Sequence, residues 1–214
     1  MASFQWVFDN AESISVNKRP IVSQTIARDQ RVRSISRGGA VWRFTVKMPT
    51  GMRWSDNRGY IEDIDTVNLL KAETVSFPST GYDWYTGYRG AATSTATMTF
   101  KYNAAQAASD TTKFELGNMP GAVGSALFKA GDLIQPGSSK YVYMVRELVT
   151  KGSSPTQLVG VHRSILETPS DTAVTMKVGN AVSWSVICVE CPTWTIVERD
   201  IVAWNGDFLF YEVL

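Results

Sequence analysis

The stretch Lys129-Ala-Gly-Asp-Leu-Ile-Gln-Pro-Gly-Ser-Ser-Lys-Tyr-Val-Tyr-Met-Val145 sets two short apolar strands around a turn. Gly131-Asp132 can open a turn, Leu133 and Ile134 start a strand, and Pro136-Gly137-Ser138 breaks it. Tyr141 to Val149 then resumes with aromatic and β-branched residues suited to a pleated, half-buried surface. With no catalytic constellation in it, the stretch reads as barrel-building sequence.

The same period of two runs outward along the chain. In Val41 to Met48, Trp42, Phe44, Val46 and Met48 fall on one face, with Arg43, Thr45 and Lys47 on the other. Met98, Phe100 and Tyr102 alternate likewise within Thr97 to Tyr102, as do Val174, Met176 and Val178 within Thr172 to Val178. The exception is Ser55 to Val75. There Tyr60, Ile64, Val67 and Leu70 give the apolar spacing of one amphipathic helix, with Ile61, Ile64, Asn68 and Lys71 on a second line. Ser55 or Asp56 is placed to cap it, and Glu62, Asp63 and Asp65 are expected near its positive end. Ala104 to Ser109 reads as either a brief helix or a loop.

Phe77 to Ala92, rich in Gly and aromatics and without a period, marks a domain junction. Near the end, Asn205-Gly206 separates Thr193 to Trp204 from Asp207 to Leu214 and predicts a two-residue type I′ hairpin turn. The expected fold is therefore mainly β.

A chain of 214 residues is long enough for one large β domain or two small ones, without an external staple. Its 44% apolar and 19% charged residues are those of a globular protein, and a net charge of +1 gives no global preference for nucleic acid or acidic membranes. Met1 to Asp9 reaches an acidic residue too soon for a signal core, so the chain is expected to stay in a cytoplasm. The longest apolar stretch, around Trp184 to Val189, is far short of the roughly 20 residues that cross a bilayer, and no membrane association is expected.

Cys188-Val-Glu-Cys191 has the spacing of a redox pair or half a zinc site. Inside a regular strand, a separation of three sends the two side chains to opposite faces, so buried structural thiols are the expectation. His162 is the single histidine, which excludes HExxH and His-cluster metal sites, and it reads as a half-exposed sheet residue. There is no G-x-S-x-G turn, and the loop from Gly117 to Gly124 lacks the lysine of a phosphate loop. Neither an enzyme activity nor a cofactor is expected.

Charge is concentrated in one place. Arg31, Arg33, Arg37, Arg43, Lys47, Arg53 and Arg58 face only Asp56 between positions 31 and 58, and Glu62, Asp63, Asp65 and Glu73 follow. Clustered Lys and Arg can line a nucleic-acid channel, form a solvated face, or make one half of a protein interface whose other half is acidic. The favoured reading places a subunit interface at Arg31, Arg33, Arg37, Arg43, Glu62, Asp63 and Asp65.

In this organisation, a one-helix β domain followed by a Gly-rich junction, a β unit carrying Gly131-Asp132-Leu133-Ile134 and Val142-Tyr143-Met144-Val145, and a return segment, the sequence resembles the distal tail proteins of long-tailed bacteriophages. The resemblance implies a β-sandwich or split barrel with one flanking α-helix, built from residues 1–77 with 193–214 returning, and an inserted OB-like β-barrel of residues 78–192. It also implies a virion structural protein, assembled in the host cytoplasm. That protein would form a homohexameric ring joining the tail tube protein to the hub or tip protein, next to the tape measure protein, with nucleic acid only passing through its channel. A tail tube or baseplate tube-initiator role shares the same first domain. A third reading makes residues 78–192 a module gripping single-stranded nucleic acid or an oligosaccharide through Tyr82, Trp84, Tyr85 and Tyr88.

Overall fold

The computed structural model describes residues 3–20, 22–26, 32–36, 39–78, 80–137 and 139–214. The protein is mainly β and divides into two units, Met1–Val75 with Ser185–Leu214, and Ser76–Trp184.

The first unit is built on a five-stranded sheet. Its order is Ser13–Asn17, Arg43–Lys47, Phe208–Glu212, Trp184–Glu190 and Glu73–Val75. Strict alternation in Arg43–Lys47 gives the sheet two chemically different faces. Phe44 and Val46 are fully buried, and they stand opposite Phe210 and Phe208 on the neighbouring strand. On the other face Arg43 pairs with Tyr211 and Thr45 with Leu209. A helix that the alternation did not announce, Ser3–Asp9, covers the buried face. Its Phe4 and Phe8 meet Phe210 and Phe44 in edge or tilted contacts with centroids 5.1–5.8 Å apart. Burying each such ring contributes about 1.5–3 kcal/mol.

The long helix runs over Trp54–Thr66, shorter than its pattern suggests. Ile61 and Ile64 are buried and Tyr60 stacks on Trp6, whereas Leu70, expected on the apolar face, is 89% exposed. Asn68 ends the helix: its side chain accepts from Leu70 N–H at 3.0 Å and its carbonyl from Lys71 N–H, a local turn that competes with helix continuation. The start also differs from expectation. Neither Ser55 nor Asp56 is the capping residue; Arg53 holds that position without a side-chain bond.

The C-terminal segment departs most from its reading. Residues Trp194–Val197 and Ile201–Trp204 pair with each other and then with Met52–Arg53, making a separate three-stranded sheet. The hairpin turn therefore lies at Glu198-Arg199-Asp200. Asn205-Gly206 instead carries the chain from this sheet to Phe208–Glu212 in the five-stranded one. The return into the first unit begins at Ser185 rather than 193, because Trp184–Glu190 pairs with Phe208–Glu212.

The second unit is a curled six-stranded sheet in the order Tyr143–Met144, Leu133–Pro136, Ser170–Val178, Thr99–Tyr102, Lys113–Gly117, Gln157–Gly160. Leu133 pairs with Met144 and Ile134 with Tyr143, so the stretch that opened the sequence reading is a hairpin of this sheet. Its two edge strands meet just beyond their ends. Val145 bridges Val161, Arg146 N–H donates to Gly160 C=O, and His162 N–H donates to Met144 C=O. Phe100, Phe114, Leu116, Phe128, Tyr143 and Val159 fill the interior. Ala104–Ser109 is a helix, capped by Asn103 accepting from Gln106 N–H at 2.8 Å.

Candidate functional site

The charged residues of the first unit sort by the geometry of the five-stranded sheet. Arg43 and Lys47 project from the face that the N-terminal helix does not cover, alongside Thr45 and Tyr211. The Arg43 guanidinium lies over the Tyr211 ring at 5.5 Å, which orients it while leaving it exposed. Lys47 forms an ion pair with Glu12 at 2.9 Å, so it is partly neutralised within the chain. Ser13, Ser15 and Asn17 extend this face on the neighbouring strand, while Leu209 and Ile187 give it an apolar part on the other side, and Arg43 is its open cation among the described residues. Arg31 and Arg37 lie outside the described residues, as does the side chain of Arg33.

Glu62, Asp63 and Asp65 are exposed on the long helix, which packs beside the N-terminal one. They were expected near its positive end. Because the helix begins at Trp54, they fall in its C-terminal half, where the macrodipole disfavours carboxylates. Helix stability therefore does not account for them. Asp65 is engaged by the chain itself, accepting from Trp194 Nε1 at 3.0 Å while that indole stacks on Trp54 at 4.7 Å. Glu62 and Asp63 remain open at the surface. Among the described residues no ion pair joins Arg43 to any of the three acids. Arg43 projects from the face of the sheet opposite the one that the paired helices cover.

The aromatics proposed for stacking are used internally in the second unit. Tyr82 and Tyr85 pack against Phe77 at 5.5 and 5.4 Å, and burial pushes the Tyr85 phenol up to about 12. The Tyr88 hydroxyl donates to Leu127 C=O and its ring meets Phe128. Of the four, only Trp84 is well exposed, at 68%. Close packing explains one glycine of the segment and one beside it: at Gly90 a Cβ would strike Leu127 C=O, and at Gly179, with φ +60°, it would stand 2.9 Å from both Thr86 C=O and Tyr88 N.

The second unit instead carries a cleft that the sequence reading missed. A pocket of about 110 Å³ is lined by Phe100, Tyr102, Phe114, Glu167, Ser170 and Thr172. A shallower one of about 430 Å³ adjoins it, sharing Pro136, Glu167, Thr168 and Val174 and adding Lys140 and Tyr141. Glu167 stands at the junction and accepts from the hydroxyls of Tyr143 and Ser139. Burial and this carboxylate push the Tyr143 phenol far above its ordinary value. The Tyr143 oxygen in turn accepts from Leu166 N–H at 2.9 Å, and Arg163 lies over its ring at 5.1 Å. The cleft's single carboxylate is thus fixed in place.

His162 is half-buried, and its Nδ1 accepts from Met144 N–H at 3.1 Å, a structural bond across the seam of the curled sheet. Both cysteines are free, Cys188 buried and Cys191 half-buried, but the expectation that they face apart is overturned. A bulge interrupts Trp184–Glu190: Cys188 pairs with Phe210 and Glu190 with the next residue, Leu209, leaving Val189 over. The extra residue resets the alternation, so the two side chains fall on one side of the strand instead of facing apart. Among the described residues no group of three or more His, Cys, Asp or Glu is arranged to hold a metal, and no helix is long and apolar enough to cross a membrane. No protein-family model matches this chain, and no curated protein matches it in sequence.

Proposed function

We propose that this chain is a structural virion protein forming a ring at the distal end of a phage tail, between the tail tube and the tip or baseplate hub. The first unit builds the ring and the second is an accessory β-barrel. The observation that carries this reading is the separation of unlike charges on one unit, Arg43 on the uncovered sheet face and Glu62 with Asp63 at the helix end. A head-to-tail ring requires two different patches on each subunit, and complementary charge sets their register. Glu62 and Asp63 sit where the helix dipole opposes them, as residues retained for a partner would. The partners are copies of the same chain and the tail proteins above and below. No catalysis is assigned. Imaging the purified chain by negative stain tests the reading directly: closed rings support it, and a monomer absent from every virion refutes it.

A second reading concerns the cleft. An apolar floor of Phe100 and Phe114, a fixed Glu167 and the hydroxyls of Ser170 and Thr172 suit a polyol, whose ring face packs on the aromatics and whose hydroxyls donate to the carboxylate. We infer an oligosaccharide-binding site there, in keeping with a tail domain that touches a cell surface. Titration with glycan fragments tests it, with Glu167→Gln expected to weaken binding and oligonucleotides expected to give no salt-dependent shift.

A further inference from the structure

The bulge at Val189 lies where the chain leaves the five-stranded sheet for the Trp194–Trp204 hairpin, with only Pro192 and Thr193 between Cys191 and that hairpin. Cys188 is 3% exposed and its thiol donates to Glu190 C=O at 3.2 Å. Cys191, one turn of the bulge further on, is half-buried and reaches solvent. The two thiols are therefore on one side of the strand, three residues apart and unequally accessible, an arrangement that a regular strand would not provide. We propose that Cys188 and Cys191 are a thiol–disulfide modification site, closed into an intrachain disulfide by a small-molecule disulfide such as oxidised glutathione.

The steps follow from access. The Cys191 thiolate attacks one sulfur of glutathione disulfide, forming a mixed disulfide and expelling one glutathione thiolate. Cys188 then gives up its proton and attacks the Cys191 sulfur, forming the 188–191 bond and expelling the second glutathione. Two thiols are oxidised, one disulfide is reduced, and both protons leave on glutathione. The neighbouring Cys188 thiol holds the Cys191 thiol below its ordinary value, despite a nearby Asp65, while Cys191 and burial push Cys188 up. The order of attack is thus set by both access and acidity. The closed bond would tie the end of the sheet strand to the root of the hairpin that carries Trp194 and Asp200.

The test is alkylation of the full chain after exposure to glutathione disulfide, read by intact mass and peptide mapping. Reduced protein takes two maleimide adducts. The expected result is loss of both together, no retained glutathione, and a peptide cross-linked between 188 and 191. In Cys188→Ser, the glutathione adduct should persist on Cys191; in Cys191→Ser, the reaction of Cys188 should slow by roughly tenfold or more, from burial alone. Glutathione accumulating on wild-type Cys191, chain-to-chain disulfides, or two thiols still open to alkylation would each overturn the proposal. Wild-type protein alone decides it if a variant fails to fold.

Discussion

The Asp200 carboxylate accepts hydrogen bonds from both the backbone N–H and the hydroxyl of Ser55, at 2.9 and 2.7 Å. Ser55 is in the first turn of the long helix, whose opening N–H groups have no partner within the helix. The cap thus comes from a distant hairpin turn, in which Glu198 and Arg199 adopt left-handed φ of 46° and 57°. Such backbone is unfavourable outside Gly, and it persists here in the turn that presents Asp200 to the helix. Asp200→Ala should raise hydrogen exchange at residues 54–57 and lower the thermal midpoint modestly. Unchanged exchange there would show that the bond does not hold the helix.

The same pair predicts a pH dependence. Bonds from Ser55 lower the Asp200 carboxyl below its ordinary value. A depressed folded-state value means that the contribution is fully present above about pH 4, the unfolded value, and is lost as pH falls through the folded one. Wild type and Asp200→Asn should therefore differ in midpoint at neutral pH and converge in strong acid. A constant difference across that range would contradict the assignment.

Asp132 has the opposite sign. It is 2% exposed, and its carboxylate accepts from Arg89 N–H at 3.0 Å and Lys129 N–H at 2.8 Å, fixing the turn before Leu133. Burial outweighs these bonds and raises its value. Its ionisation therefore costs stability as pH rises from the usual carboxylate range through the raised value. Asp132→Ala orphans two backbone donors and should destabilise the second unit by about 2–4 kcal/mol, measured by denaturant titration.

In the first unit, Phe8 is fully buried against Phe44 and Phe210. Phe8→Ala should cost about 3–5 kcal/mol through lost burial and the cavity left behind. A loss below about 1 kcal/mol would mean that the N-terminal helix does not complete the core.

Much of this fold was legible in period-two patterning. Trp42, Phe44, Val46 and Met48 are all buried, as their spacing predicts, because a sheet with one covered face must alternate. What escaped was whatever a distant residue supplies. Phe4 N–H of the N-terminal helix donates to Glu73 and Ser55 N–H of the long helix donates to Asp200, so each start is served by a carboxylate far away in sequence. Asn205-Gly206 has hairpin chemistry, but Phe208–Glu212 finds better partners in Phe44 and Val46 than in the strand beside it. That Cys188 and Cys191 share one side of the strand depended on a bulge, which shifts side-chain parity without any marker in composition. Of the candidate interface residues, the three acids are exposed, and their place in the C-terminal half of the helix followed only once its first residue was known.

Charge reversal probes the interface. Arg43→Glu should weaken self-association by roughly tenfold or more through like-charge repulsion with Glu62 and Asp63 of the next subunit, with the monomer fold intact by circular dichroism. Adding Glu62→Lys and Asp63→Lys to the same chain should recover assembly, as measured by light scattering. Unchanged association in Arg43→Glu, or no recovery on adding the two lysines, would separate these residues from the contact.

The central claim is that the chain closes into a ring at a tail end. Electron microscopy of the purified chain across a concentration series, together with antibody-labelled virions, tests it most directly. Closed rings of uniform diameter, or label confined to the distal tip of tails, are the predicted result. Monomers at every concentration and no label on any particle would contradict it.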